Sequence, residues 1–150
     1  MDKITSFTID HTKLNEGIYI SRIDGDITTY DLRTRKPNTI NLMDNSTMHS
    51  MEHLFATMVR NSALKDDVIY FGPMGCQTGF YLLIRNANNE EVLTNTKKIL
   101  ADIISYDGEM PGNSAIECGN YISLSIEAAK KEASHYLEIL KNKTVADMQY

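Results

Sequence analysis

The chain is poor in several features that would mark a well-known class. It has two cysteines, Cys76 and Cys118, far apart in 150 residues. A disulfide framework is therefore not expected, and each thiol calls for its own explanation. It has no basic surplus: 15 Lys and Arg against 20 Asp and Glu give a formal net charge of -5. Nothing there neutralises phosphates, so neither a nucleic acid nor an anionic membrane is expected as a partner, and a small molecule is. It has no long apolar run. The longest, Phe80 to Ile84, falls far below the ~20 residues that span a bilayer. Met1 to Asn15 lacks the basic-then-apolar order of an export signal, so the expected location is cytoplasmic, where thiols stay reduced. Internal repeats and low-complexity linkers are absent as well.

What is present is the composition of a globular protein, 42% hydrophobic and 23% charged. A chain of 150 residues is close to the commonest domain size, so one domain is expected over residues 1–150. Gly17–Ile23 and Ile27–Leu32 are β-rich runs separated by Asp24-Gly25-Asp26, the pattern of an antiparallel hairpin. Asp44, Asn45 and Ser46 offer N-caps for a helix reaching about Asn61, with Met51, Leu54, Phe55 and Met58 as its apolar stripe. Val68–Phe71 and Phe80–Ile84 read as further strands around a glycine-rich loop holding Cys76. A second helix starts at Asn88, with Val92, Ile99, Leu100, Ile103 and Ile104 on one side, and ends near Tyr106-Asp107-Gly108. Beyond the Pro111-Gly112 turn lies Ile116–Ile122 with Cys118, after which Ser123 is expected to cap a last helix lined by Ile126, Ala129, Ala133, Leu137 and Leu140. The pattern predicts an α+β fold, an antiparallel sheet packed against α-helices.

The chemistry concentrates in His49-Ser50-Met51-Glu52-His53. On a helix, HxxEH places two imidazoles four positions apart on one face, half of a metal site. A transition-metal ion wants a further protein ligand. Cys118 offers a thiolate suited to Zn(II) or Fe(II), while Glu127 and Glu132 are the alternatives if the motif belongs to an inverted-motif zinc peptidase. A domain this short leaves little room for a peptidase cleft, and a metal-binding protein without turnover is the other alternative. Glu52, between the two histidines in sequence, suits a proton carrier just outside the ligand shell. Cys76, among glycines with free backbone N–H groups, reads either as an acid or base or as a small buried hydrophobe. Arg60 follows His53 by seven residues, which puts it on the same face roughly 10 Å farther along, within reach of a distant polar group.

Three motifs in order, HSMEH (His49–His53), GPMGCQTGFY (Gly72–Tyr81) and ECGNY (Glu117–Tyr121), closely resemble the S-ribosylhomocysteine lyase family, known as LuxS. SFTIDHTKL (Ser6–Leu14) and DLRTRKPN (Asp31–Asn38) are similar to that family too, so the resemblance covers nearly the whole chain. It implies cleavage of the thioether of S-ribosylhomocysteine to homocysteine and 4,5-dihydroxy-2,3-pentanedione, the autoinducer-2 precursor, within the activated methyl cycle. It implies one Fe(II) per subunit, replaceable by Zn(II) or Co(II), on His49, His53 and Cys118, with water as the fourth ligand. Cys76 and Glu52 become the acid–base pair for two carbonyl migrations and a β-elimination. Ser6, His11 and Arg33 fall near the homocysteine end, in an active site completed at a homodimer interface. His135 has no counterpart and reads as structural.

The chain also departs from the family. Ahead of Pro-Met-Gly-Cys the family carries an acidic residue, an aliphatic and a serine, where this chain has Tyr70, Phe71 and Gly72. Three positions beyond Tyr121, where the family has a histidine, stands Leu124. The expected metal and catalytic positions are unchanged, so activity with an altered pocket edge is expected.

Overall fold

The computed structural model describes residues 1–150. Strands β1 (Gly17–Asp24) and β2 (Ile27–Arg33) form the expected hairpin, with Asp24 opposite Ile27 across the turn. Helix α1 (Asn45–Val59) follows, then β3 (Val68–Pro73), β4 (Gly79–Arg85), α2 (Asn89–Ile104) and α3 (Ile126–Leu140). The four strands pair antiparallel in the order β1-β2-β4-β3, so the two hairpins meet along β2 and β4.

Period-two alternation puts Tyr30 and Leu32 of β2 and Phe80, Leu82 and Ile84 of β4 on the buried face. The helices cover that face: α1 lies on β3, α3 reaches β1, and α2 packs against both other helices. One cluster of 25 buried residues joins sheet and helices. At its centre Phe71 stacks between Phe55 of α1 and Phe80 of β4, with ring centroids 4.3 and 5.0 Å apart. No helix is long and apolar enough to cross a membrane.

Each helix starts on a side-chain cap. Asp44 Oδ1 accepts from the Thr47 N–H at 2.7 Å and Asn88 Oδ1 from the Glu91 N–H at 3.1 Å. The cap of α3 is Ser125, accepting from the Ala128 N–H at 3.2 Å, and not Ser123 as the sequence predicts. Ser123 closes a short 3-10 turn, Tyr121–Ser123, and serves another purpose below. Between α2 and α3 the chain has no strand. Residues 105–125 run as turns, with Met110 alone of that stretch buried.

The loop between β3 and β4 is fixed from two sides. The N–H groups of Thr34 and Arg35 both donate to the Thr78 carbonyl, at 3.1 and 3.0 Å. The N–H of Met43, next to the α1 cap, donates to the Gln77 carbonyl at 3.1 Å. Cys76, exposed at the tip, is thus held between the end of β2 and the entrance to α1.

Candidate metal centre

His49 and His53 stand one turn apart on α1, ring centroids 4.6 Å apart and perpendicular. Opposite them the turn at Ser114–Cys118 presents a thiol, the Cys118 N–H donating to the Ser114 carbonyl at 3.0 Å. One ligand atom from each of His49, His53 and Cys118 lies within 4.8 Å of the others, all half-buried. Cys118 Sγ is 3.4 Å from His49 Nε2.

The nitrogens facing away are engaged too. His49 Nδ1 meets Ser123 Oγ at 2.7 Å, and His53 Nδ1 meets the Pro111 carbonyl at 2.7 Å. A carbonyl only accepts, so His53 Nδ1 carries the proton and Nε2 keeps its lone pair for a ligand. This is the second layer of bonds that fixes tautomer and ring orientation at metal-binding imidazoles. Two imidazoles and a thiolate form a donor set for a borderline-soft divalent ion such as Zn(II) or Fe(II), with one position left for water or substrate.

Gly112 makes the approach of His53 to Pro111 possible. Its φ is +70°, a left-handed conformation, and a Cβ there would sit 3.1 Å from His53 Cε1 and Nδ1. Serines tie α1 to the segment bearing Cys118. The Ser46 hydroxyl donates to the Ser123 carbonyl at 2.6 Å, and Ser50 Oγ accepts from the Ser125 N–H at 2.8 Å. Ser123 and Gly112 escape a reading of the sequence as site residues, since one looks like a helix cap and the other like a plain turn.

Glu52 and Arg60 share a shallow cleft with His53, Thr57, Pro111 and Gly112, in line with their spacing along α1. Arg60 is exposed, with Nη1 donating to the Ala56 carbonyl at 3.0 Å. The peptidase candidates lie elsewhere. Glu127 is exposed in the first turn of α3, and Glu132 is buried and ion-paired with Arg35; neither joins the cluster.

Cys76 belongs to a second group. Its Sγ lies 2.9 Å from Thr78 Oγ1, and Arg33 Nη1 donates to the same Thr78 oxygen at 2.6 Å and approaches Sγ at 3.9 Å. Arg33 Nη2 donates to Asp31 Oδ2 at 2.5 Å. Burial works against the Arg33 charge, but the Asp31 carboxylate and the Cys76 sulfur outweigh it and hold the guanidinium above its ordinary value. Arg33, placed by resemblance near the homocysteine end, is 2% exposed and spends both terminal nitrogens inside the protein. No hydrogen bond within the chain joins this group to the His–His–Cys cluster.

The remaining candidates sit on the N-terminal segment. Ser6 lines a cleft on the uncovered sheet face with Tyr70 and Tyr81, and His11 Nδ1 meets the Ile9 carbonyl at 2.9 Å. His135 bonds the Thr34 carbonyl at 2.9 Å, a structural role. The departures have physical accounts. Phe71 is core, and Leu124 packs half-buried against it. Tyr70 and Gly72 are coupled, because a Cβ on Gly72 would meet the Tyr70 hydroxyl at 1.9 Å and Cζ at 2.4 Å. The phenol lies across the space that a side chain at 72 would take.

An antiparallel sheet backed by three helices, with two histidines of one helix facing a cysteine of a loop, defines an α+β protein with one His–His–Cys cluster able to hold a metal ion. Within that class the chain belongs to the LuxS family: the family model described as S-Ribosylhomocysteinase (LuxS) matches residues 4–146. The S-ribosylhomocysteine lyase of Borreliella afzelii is 43% identical over 156 residues, covering 100% of this chain and 99% of that protein. The lyase of Finegoldia magna is 46% identical over 147 residues, 95% of this chain and 94% of its own length. That of Phocaeicola vulgatus is 38% identical over 157 residues, 100% and 98% of the two chains.

Proposed function

We propose that residues 1–150 form one S-ribosylhomocysteine lyase domain, a carbon–sulfur lyase that releases homocysteine and 4,5-dihydroxy-2,3-pentanedione. The observation that carries this reading is the cluster of His49, His53 and Cys118 in a chain of the LuxS family. The two products together contain every atom of the substrate, so no oxidant, reductant or added water enters the balance. The ion is assigned as Fe(II), one per subunit, with Zn(II) or Co(II) as substitutes; when bound it supplies Lewis-acid polarisation of the sugar oxygens.

The chain's own residues move the protons. Each of two carbonyl shifts takes a proton from the carbon beside a carbonyl and returns one a carbon along; the final elimination takes another as the C–S bond breaks and homocysteine thiolate leaves. Glu52 and Cys76 are assigned to these transfers. Arg33 stands beside Cys76 as a fixed cation, so a negative sulfur there is electrostatically matched. Ser6, His11 and Arg60 are assigned to the polar ends of the substrate, and Arg33 to the substrate-binding group through its place beside Cys76.

We assign the uncovered sheet face to a homodimer interface that completes the active site. Ile4 and Tyr70, 58% and 49% exposed, line a cleft on that face with Tyr81 and Leu83, apolar groups of the kind subunits cover. The expected location is the cytoplasm, and the pentanedione is the expected autoinducer-2 precursor of quorum sensing.

The test is anaerobic turnover of S-ribosylhomocysteine by Fe(II)-loaded protein, with released homocysteine followed by a thiol reagent. Wild type is expected to release it, and Cys76→Ala to lose at least about 100-fold in rate while retaining the metal. A metal-filled, folded wild type that releases none would overturn the reading.

A further inference from the structure

We propose that Tyr150 is a positioning residue for Cys76, acting through Asp31 and Arg33. The inference rests on the reading of Cys76 as a proton carrier, and its geometry starts from a buried ion pair. The side chains of Asp31 and Arg33 are 0% and 3% exposed. A pair removed from water is stable only if the remaining donors and acceptors find partners, and here they are scarce. Asp31 Oδ1 and Arg33 Nε have none. The carboxylate is held entirely at Oδ2, which accepts from Arg33 Nη2 at 2.5 Å and from the Tyr150 hydroxyl at 2.7 Å.

Tyr150 is the second donor to an under-satisfied anion. By accepting its hydrogen bond, Oδ2 spreads charge that would otherwise fall wholly on the guanidinium. Arg33 Nη1 is then free to lean on Thr78 and the Cys76 sulfur. Without that hydroxyl, Asp31 draws Arg33 toward itself, and a thiolate at Cys76 loses part of its cation.

The rest of the segment keeps the phenol in place. Its ring stacks on Tyr19 at 4.9 Å and 14°. Tyr19 is in turn tied to the Asn15 carbonyl at 2.9 Å, and the Ile20 N–H holds the Met148 carbonyl at 2.8 Å, with Met148 fully buried. Burial and the adjacent carboxylate push the Tyr150 hydroxyl well above its ordinary value, so it remains a donor through the neutral range. The other groups whose charge reaches this site are Arg33, Asp31, Tyr19, Tyr81 and Tyr136. Burial pushes the phenols of Tyr19, Tyr81 and Tyr136 above their ordinary value, so they stay neutral through the range tested.

The experiment reads the thiolate directly. Metal-loaded protein is treated anaerobically with iodoacetamide across pH 5 to 9, and modification of the Cys76 peptide is followed by mass spectrometry, separately from that of Cys118. Tyr150→Phe keeps the ring stack and removes the hydroxyl. Its profile is expected to shift to higher pH by about half a unit, roughly threefold less thiolate on the rising limb. Tyr19→Phe keeps the stack and every bond to Asp31, and is expected to leave the profile in place. An unshifted or downward-shifted Tyr150→Phe profile overturns the proposal. An equal shift in Tyr19→Phe does so too, since packing would then be the cause. Homocysteine release by the wild type reports on the lyase reading independently of either result.

Discussion

At His49 and His53 the ring nitrogen turned away from the cluster matters as much as the one turned in. Ser123→Ala removes the partner of His49 Nδ1 and leaves the fold's hydrogen-bonded elements intact. The expected result is metal affinity lower by about 10-fold or more, measured by competition with a chromophoric chelator. Unchanged affinity would mean that α1 alone orients the ring. The residues of the cluster were legible in the sequence, since i, i+4 spacing on a helix leaves little freedom and Cys118 offers the thiolate that two imidazoles call for. Their supports were not. A serine near a helix start reads as a cap, and the carbonyl of Pro111 has no sequence signature because every residue carries one. The partners of Arg33 were equally hidden, because its engagement by Asp31 and Thr78 depends on strand register.

Among the elements, α1 carries the most function and is held most tightly at its start. Asp44 caps it, and bonds from the Thr47 side chain and N–H hold the Asp44 carboxyl below its ordinary value. A carboxyl lowered by folding stabilises the folded state above its unfolded value, and that contribution is lost as pH falls through the lowered one. Asp44→Ala is expected to cost about 1 kcal/mol at neutral pH. The melting temperatures of variant and wild type should converge in acid, below the ordinary value of 3.8. A gap that persists there would assign the effect to packing instead of the cap. Helices and hairpins were readable because their apolar positions recur with a clean period. Residues 105–125 offered no period to read, being built from turns, and so the cap of α3 was placed two residues early.

The whole molecule is fastened at two ends of very different strength. The sheet and helices share one core, while the segment from 105 to 125 buries little, and Ile116 stands 98% exposed. An ion held by His49, His53 and Cys118 would join that segment to α1, so metal removal is expected to act there first. Ligand binding to the native state alone adds about 4 kcal/mol at a thousandfold excess over Kd. Chelation should therefore lower the melting temperature, and limited proteolysis of the stripped protein should cut between Gly112 and Ile122 while the core fragment survives. Equal protection with and without metal would show that the serine contacts alone fasten the segment.

Tyr70 and Gly72 set how this edge of the sheet tolerates change. The phenol occupies space that a side chain at 72 would fill. Any larger residue at 72 is accommodated only by swinging the ring outward, from a position where it is already half-exposed. A change at one of the two positions is therefore felt at both, and the cleft beside them would take a new outline from a substitution that never touches it directly.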